Sequence, residues 1–200
     1  MKRIGILGGT FNPIHLAHLY IAYEAKEQLN LDTIIFMPAG NPPHKKNKAI
    51  LDSEYRYDMV KKAIEKYDGF EISDYEIQKC GFSYTYETVR DLKTDDTELF
   101  FIAGGDSLMD IEKWVKPEEI FKYCNLVIFN RGKLDLEILK RQKKILEDKY
   151  NGKIILLDVV DIDISSSMIR ERLEEGKKVD FFLPQEILDY INNNDLYRRK

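Results

Sequence analysis

The chain has 200 residues, of which 44% are hydrophobic and 33% charged, and its formal net charge is −4 at pH 7. That length suits a single domain over residues 1–200 with a core of ordinary size, and the acidic balance argues against a general nucleic-acid binder, which carries a basic face. No run approaches the ~18 apolar residues of a membrane span, the first apolar run is too short for a secretory signal, and Cys80 and Cys124 lack paired spacing, so a cytoplasmic protein with reduced thiols is expected.

Ile4 to Leu7 is a short apolar run of the kind that makes a strand buried on both faces. Gly8 and Gly9 end it, where the backbone must turn tightly or let a ligand approach. Asn12 is expected to cap a helix, with Pro13 at its first position. Strand, glycine turn and helix start make an anion site, because free N–H groups and the helix dipole converge there. His15 and His18, three apart, share one face of the first helical turn, and two imidazoles beside an anion site suggest chemistry on phosphate. The spacing of Leu16, Leu19, Tyr20, Tyr23 and Leu29 predicts a helix over Leu16–Leu29.

Thr33–Met37 reads as a second buried strand, stopped by Pro38. The loop after it presents Asn41, His44 and Lys45 near a strand's carboxyl end, where open α/β sheets hold ligands. Ser53–Tyr67 is an amphipathic helix with Tyr57, Val60, Ala63 and Ile64 on one side, and Phe70–Ile77 alternates as a strand. Ser83-Tyr84-Thr85 caps a helix to about Leu92, with Glu87 placed for a capping box. Leu99–Ala103 is a fourth strand, ending in a second glycine turn, Gly104-Gly105-Asp106-Ser107. Trp114, the only tryptophan, falls between charged residues and Pro117, which favours a surface loop where an indole can stack on a flat ring. Leu126–Phe129 is a fifth strand ending in Asn130-Arg131-Gly132; Leu134–Tyr150 is a charged helix and Ile154–Val160 a last strand. Ser165, Ser166 and Ser167 then open a helix to Glu174, with Arg170 one turn in on the same face, again suited to an anion. A helix over Gln185–Asn192 closes the chain. This alternation implies an α/β fold: a Rossmann-like, doubly wound parallel sheet in the order 3-2-1-4-5 with a short C-terminal helical extension.

The glycine turn and its histidines, Gly8-Gly9-Thr10-Phe11-Asn12-Pro13-Ile14-His15-Leu16-Ala17-His18, resemble the (H/T)-x-G-H signature of the nucleotidyltransferase superfamily in its longer G-G-T-F-D-P-x-H-x-G-H form, with Asn12 for the usual Asp and Ala17 for the usual Gly. Ile164–Arg170 is similar to the superfamily's I-S-S-T-x-I-R motif, with Ser167 for Thr. Pro42-Pro43-His44-Lys45, Ser83-Tyr84-Thr85 and Trp114 narrow the resemblance to the bacterial nicotinate mononucleotide adenylyltransferases. The resemblance implies transfer of the adenylyl group of ATP to nicotinate mononucleotide, giving nicotinate adenine dinucleotide and pyrophosphate in NAD biosynthesis.

It also implies roles. His18 would stabilise charge on the α-phosphate with His15 in support, while His44, Lys45 and Arg170 would hold the β- and γ-phosphates. Gly8, Gly9, Thr10, Phe11, Gly104, Asp106, Arg131, Ser165, Ser166 and Ser167 complete the implied ATP site, with Asp106 on ribose hydroxyls. Asn41, Thr85 and Trp114 would bind the mononucleotide, although Val115 stands where an aromatic residue is frequent. Mg²⁺ is expected with ATP, with no tightly bound cofactor and no metal site in the protein; a homodimer is one assembly the resemblance allows. Other readings stay open at this point: a nucleotidyltransferase acting on nicotinamide mononucleotide or phosphopantetheine, a hydrolase with His15, His18 and His44 on zinc, and a nucleotide-binding module without catalysis.

Overall fold

The computed structural model describes residues 1–40, 50–79, 81–130 and 134–198. Six parallel strands form one sheet: β1 Lys2–Gly9, β2 Thr33–Pro38, β3 Phe70–Ile72, β4 Thr97–Gly104, β5 Asn125–Phe129 and β6 Ile154–Leu157. Their order is β3-β2-β1-β4-β5-β6, so the expected arrangement holds and β6 extends it at the far edge. The helices are α1 Leu16–Gln28, α2 Ser53–Ile64, α3 Tyr75–Gln78, α4 Thr85–Leu92, α5 Gly105–Asp110, α6 Pro117–Tyr123, α7 Leu136–Tyr150, α8 Ser166–Glu174 and α9 Gln185–Asn193, with a 3₁₀ turn at Ile111–Lys113. None is long and apolar enough to cross a membrane.

Strand periodicity explains the layers. Along β4, Phe100 and Ile102 join one core while Leu99, Phe101 and Ala103 join the other, and β5 repeats this with Val127 and Phe129 against Leu126 and Ile128. Buried residues of α1, α2, α8 and α9 fill the first core. Those of α4, α5, α6 and α7 fill the second. A parallel sheet covered on both faces needs such apolar strands. β1 pairs with β2 on one side and β4 on the other, so the carboxyl ends of β1 and β4 open side by side at the switch point.

Five expectations are corrected. α1 starts at Leu16 with His15 as its N-cap, not at Pro13 with Asn12 as the cap. Tertiary partners occupy the Asn12 groups instead: its Oδ1 accepts from the Tyr197 hydroxyl (2.8 Å) and Leu51 N–H (3.4 Å), and its carbonyl from Arg170 (2.8 Å). β3 ends at Ile72, and residues up to Gln78 turn into α3: Ser73 Oγ accepts from Tyr75 N–H at 3.2 Å, and the Ile77 and Gln78 N–H groups donate to the Asp74 carbonyl. α4 is capped by Tyr84 without a side-chain bond, and Glu87 pairs with Lys79 rather than closing a capping box. α2 also stops at Ile64, short of Tyr67, and β6 at Leu157, short of Val160.

Candidate active site

The site begins with a glycine. A Cβ on Gly9 would sit 2.9 Å from the Phe11 ring, so only glycine lets that ring fold back over the turn. Phe11 itself takes a left-handed φ of 48° and meets the His18 ring edge-on at 5.0 Å. The His15 and His18 rings stack at 3.7 Å, and His15 is buried. His15 N–H donates to His18 Nδ1 at 3.2 Å. An accepting Nδ1 assigns the proton of neutral His18 to Nε2, the donor that a phosphate oxygen needs.

The serine helix arrives from the other end of the chain. Ser165 caps α8, its Oγ accepting from Met168 N–H at 3.2 Å. The Ser166 hydroxyl donates to the Pro13 carbonyl at 2.8 Å, so it fastens α8 to the histidine turn and offers a ligand no proton. Arg170 donates to the Asn12 carbonyl (2.8 Å) and to Ser167 Oγ (3.3 Å). These contacts build a cavity of about 240 Å³ lined by Thr10, Phe11, Asn12, His15, His18, Ile50, the three serines and Arg170. Its lining holds a guanidinium, hydroxyls, imidazoles and a helix N-terminus, and among the described residues no carboxylate, which suits a polyanion.

A second cavity of about 340 Å³ lies at the carboxyl ends of β1, β4 and β5, with Gly8, Gly104, Asp106, Ser107, Trp114 and Asn130 in its wall. A third of about 300 Å³ is bounded by Ser83, Tyr84, Thr85, Lys113, Trp114, Val115 and Ile120. Trp114 is half-buried, edge-on to Phe101 at 6.3 Å, and lines both the second and third cavities. His18 lines both the first and the second. The three cavities therefore run in series, joined at His18 and at Trp114.

Gly8, Thr10, Phe11, His15, His18, Thr85, Gly104, Asp106, Trp114, Ser165, Ser166, Ser167 and Arg170 come together along this track. Gly9 lies beneath the Phe11 ring and lines none of the three. Asn41, His44, Lys45 and Arg131 lie outside the described residues. Among the described residues no three His, Cys, Asp or Glu side chains gather to hold a metal ion.

Sequence reasoning missed Arg56. It is buried, and its guanidinium donates to the carbonyls of Leu51 (3.0 Å), Thr10 (2.8 Å), Ala39 (2.8 Å) and Gly40 (3.4 Å). The glycine turn after β1 and the segment after β2 are thereby tied to one side chain. A signal existed, since Arg56 shares the i, i+4, i+7 face of Val60 and Ala63. Tyr197 and Asn130 were also missed; Asn130 Nδ2 donates to the Leu134 carbonyl at 2.7 Å.

Comparison with other proteins shows the family and agrees with this fold. Residues 6–172 match the model of the family described as cytidylyltransferase-like. A Clostridium botulinum Eklund 17B protein named "Probable nicotinate-nucleotide adenylyltransferase" is 57% identical over 200 residues, covering 100% of both chains. One of the same name from Clostridium beijerinckii is 52% identical over 204 residues, covering 99% of this chain and 100% of its own. Among solved structures, Plasmodium falciparum nicotinic acid mononucleotide adenylyltransferase complexed with NaAD superposes with a TM-score of 0.79 at 22% identity, covering 98% of each chain. The same enzyme complexed with APC gives 0.77 at 20% identity with the same coverage, and both share the fold.

Proposed function

The chain belongs to the cytidylyltransferase-like family and, within it, to the nicotinate-nucleotide adenylyltransferases, and from that premise we propose how its residues carry adenylyl transfer from ATP to nicotinate mononucleotide. A phosphate oxygen of the mononucleotide attacks the α-phosphorus of ATP in line. The bond from that phosphorus to the oxygen bridging to the β-phosphate breaks, leaving pyrophosphate and nicotinate adenine dinucleotide. No covalent enzyme intermediate is needed, so the protein positions the two phosphates and stabilises charge.

One observation supports this most directly: His18 is the residue shared by the polyanion cavity and the central cavity. The α-phosphate belongs at that junction, with His18 Nε2–H on an oxygen where charge develops. Arg170, the Ser165 and Ser167 hydroxyls and the first turn of α8 take the β- and γ-phosphates. The guanidinium and N–H donors fit an anion, and among the described residues no carboxylate lines this cavity to anchor a hard cation, so magnesium would enter with ATP, neutralising its triphosphate. Asp106 accepts from ribose hydroxyls in the central cavity. The pyridine ring stacks on Trp114, and its carboxylate meets the Thr85 hydroxyl and the Thr85 and Tyr86 N–H groups that open α4 ahead of its first intrahelical bonds. The reaction is assigned to the cytoplasm.

Incubation with MgATP and either nicotinate or nicotinamide mononucleotide, with dinucleotide and pyrophosphate measured, tests the reading. Dinucleotide from the acid is expected; none from either would refute the transfer. His18→Ala should lower kcat by about 10²-fold or more with ATP affinity little changed.

A further inference from the structure

The C-terminal segment reaches the triphosphate end of the site through one hydroxyl. After α9, Leu196 buries its side chain in the first core, and its N–H donates to the Ile191 carbonyl at 3.0 Å. On either side of it the backbone takes left-handed φ values, 51° at Asp195 and 61° at Tyr197. Non-glycine residues adopt that region at a cost, and they hold it where packing over-determines the course of the chain. The course brings the Tyr197 hydroxyl to Asn12 Oδ1 at 2.8 Å. The same Oδ1 accepts from Leu51 N–H, and the Asn12 carbonyl accepts from Arg170 Nη1. Asn12 is thus held on its side chain by the tail while it holds Arg170 with its backbone. Burial pushes the Tyr197 phenol well above its ordinary range, against the pull of the Arg170 and Arg56 charges, so the hydroxyl remains a donor to Asn12 at physiological pH.

We propose that Tyr197 is a positioning residue for the triphosphate: through Asn12 it sets the placement of Arg170, making the C-terminal segment part of the ATP site. The inference rests on the assignment of the Arg170 cavity to ATP phosphates. Tyr197 lines none of the three cavities, so its effect passes through Asn12 and falls on one substrate.

The test measures binding of α,β-methylene-ATP by calorimetry, which needs no turnover, beside KM for each substrate. Dinucleotide formation by the unaltered protein reports separately on the adenylyl-transfer reading. Tyr197→Phe, which removes one hydroxyl, should weaken the analogue by roughly fivefold, the equivalent of one neutral hydrogen bond. KM for the mononucleotide should stay within about twofold over the same comparison, because Asn12 and Arg170 line the polyanion cavity and neither of the other two. Unchanged analogue binding, or equal weakening of both substrates, overturns the proposal. A cycle then tests the route. On an Asn12→Ala background, Tyr197→Phe should have no further effect on the analogue. On Asn12→Asp, which keeps the acceptor, the effect should persist. Full additivity on the alanine background, or loss of the effect on the aspartate background, overturns the route through Asn12.

Discussion

Replacing Arg56 with Met keeps the apolar stem and about the same length while deleting every donor of the guanidinium. Three half-buried carbonyls at 2.8–3.0 Å, those of Thr10, Ala39 and Leu51, lose this donor together. A hydrogen bond to a charged donor is worth about 1.5–3 kcal/mol, and an orphaned buried acceptor costs about 1–3 kcal/mol. Relief of guanidinium desolvation offsets part of this; burial already pulls the Arg56 pKa below its ordinary value, while Tyr197 and Asp52 pull it back. The net expectation is a loss of about 3–5 kcal/mol, comparable to breaking a buried ion pair by removing one partner. At about 2–4 °C per kcal/mol for a chain of this size, Tm should fall by about 10 °C. Arg56→Lys keeps the charge on a single ammonium that cannot span carbonyls on three segments, so it should recover only part of the loss. Urea unfolding of the three proteins, read as midpoint shifts at constant slope, measures this directly. An Arg56→Met protein within about 1 kcal/mol of the parent would refute the assignment of Arg56 as the tie between the glycine turn after β1 and the segment after β2.

Arg170→Ala should raise KM for ATP by about tenfold or more and that for the mononucleotide far less; equal effects would move Arg170 off the polyphosphate. A carboxylate satisfies a site built of donors, whereas an amide NH₂ faces them unpaired, so kcat/KM should favour the acid by about 10²-fold, with Thr85→Val narrowing the ratio; comparable rates on both would refute the role given to Thr85. Burial raises the Glu76 carboxyl above its ordinary value of 4.5, against the Thr88 hydroxyl and Lys79. A raised folded pKa means stability is lost as pH rises through it, so Glu76→Gln should be more stable than the parent at pH 7 and lose that advantage near about pH 4; denaturant midpoints at the two values decide it. Burial pushes the Cys124 thiol to about 12, and its Sγ donates to the Ile120 carbonyl at 3.3 Å. Iodoacetamide should therefore leave it unlabelled in the native protein by mass mapping.

Local chemistry was legible wherever it depends on neighbours in the chain. Apolar runs bounded by glycine or proline marked β1, β2, β4 and β5, and Ser165 marked the start of α8, because strand burial and helix capping are short-range effects. The strand order also followed, since alternating strands and helices leave few right-handed ways to wind a parallel sheet. Asn12 marks the limit of that reasoning. Its residue type proposes a cap, yet its oxygens serve Tyr197, Leu51 and Arg170, all distant in sequence. Arg56 is a charge on an apolar helix face, stable there only because three separate segments bring carbonyls to it. Ser166 reads as a phosphate donor until the fold sets the Pro13 carbonyl 2.8 Å from its hydroxyl. The sequence by itself determined where most strands lie and the order in which they pair. Which polar groups the frame takes up only the tertiary structure decided, because a hydrogen-bond donor's partner is chosen by position in space and not by distance along the chain.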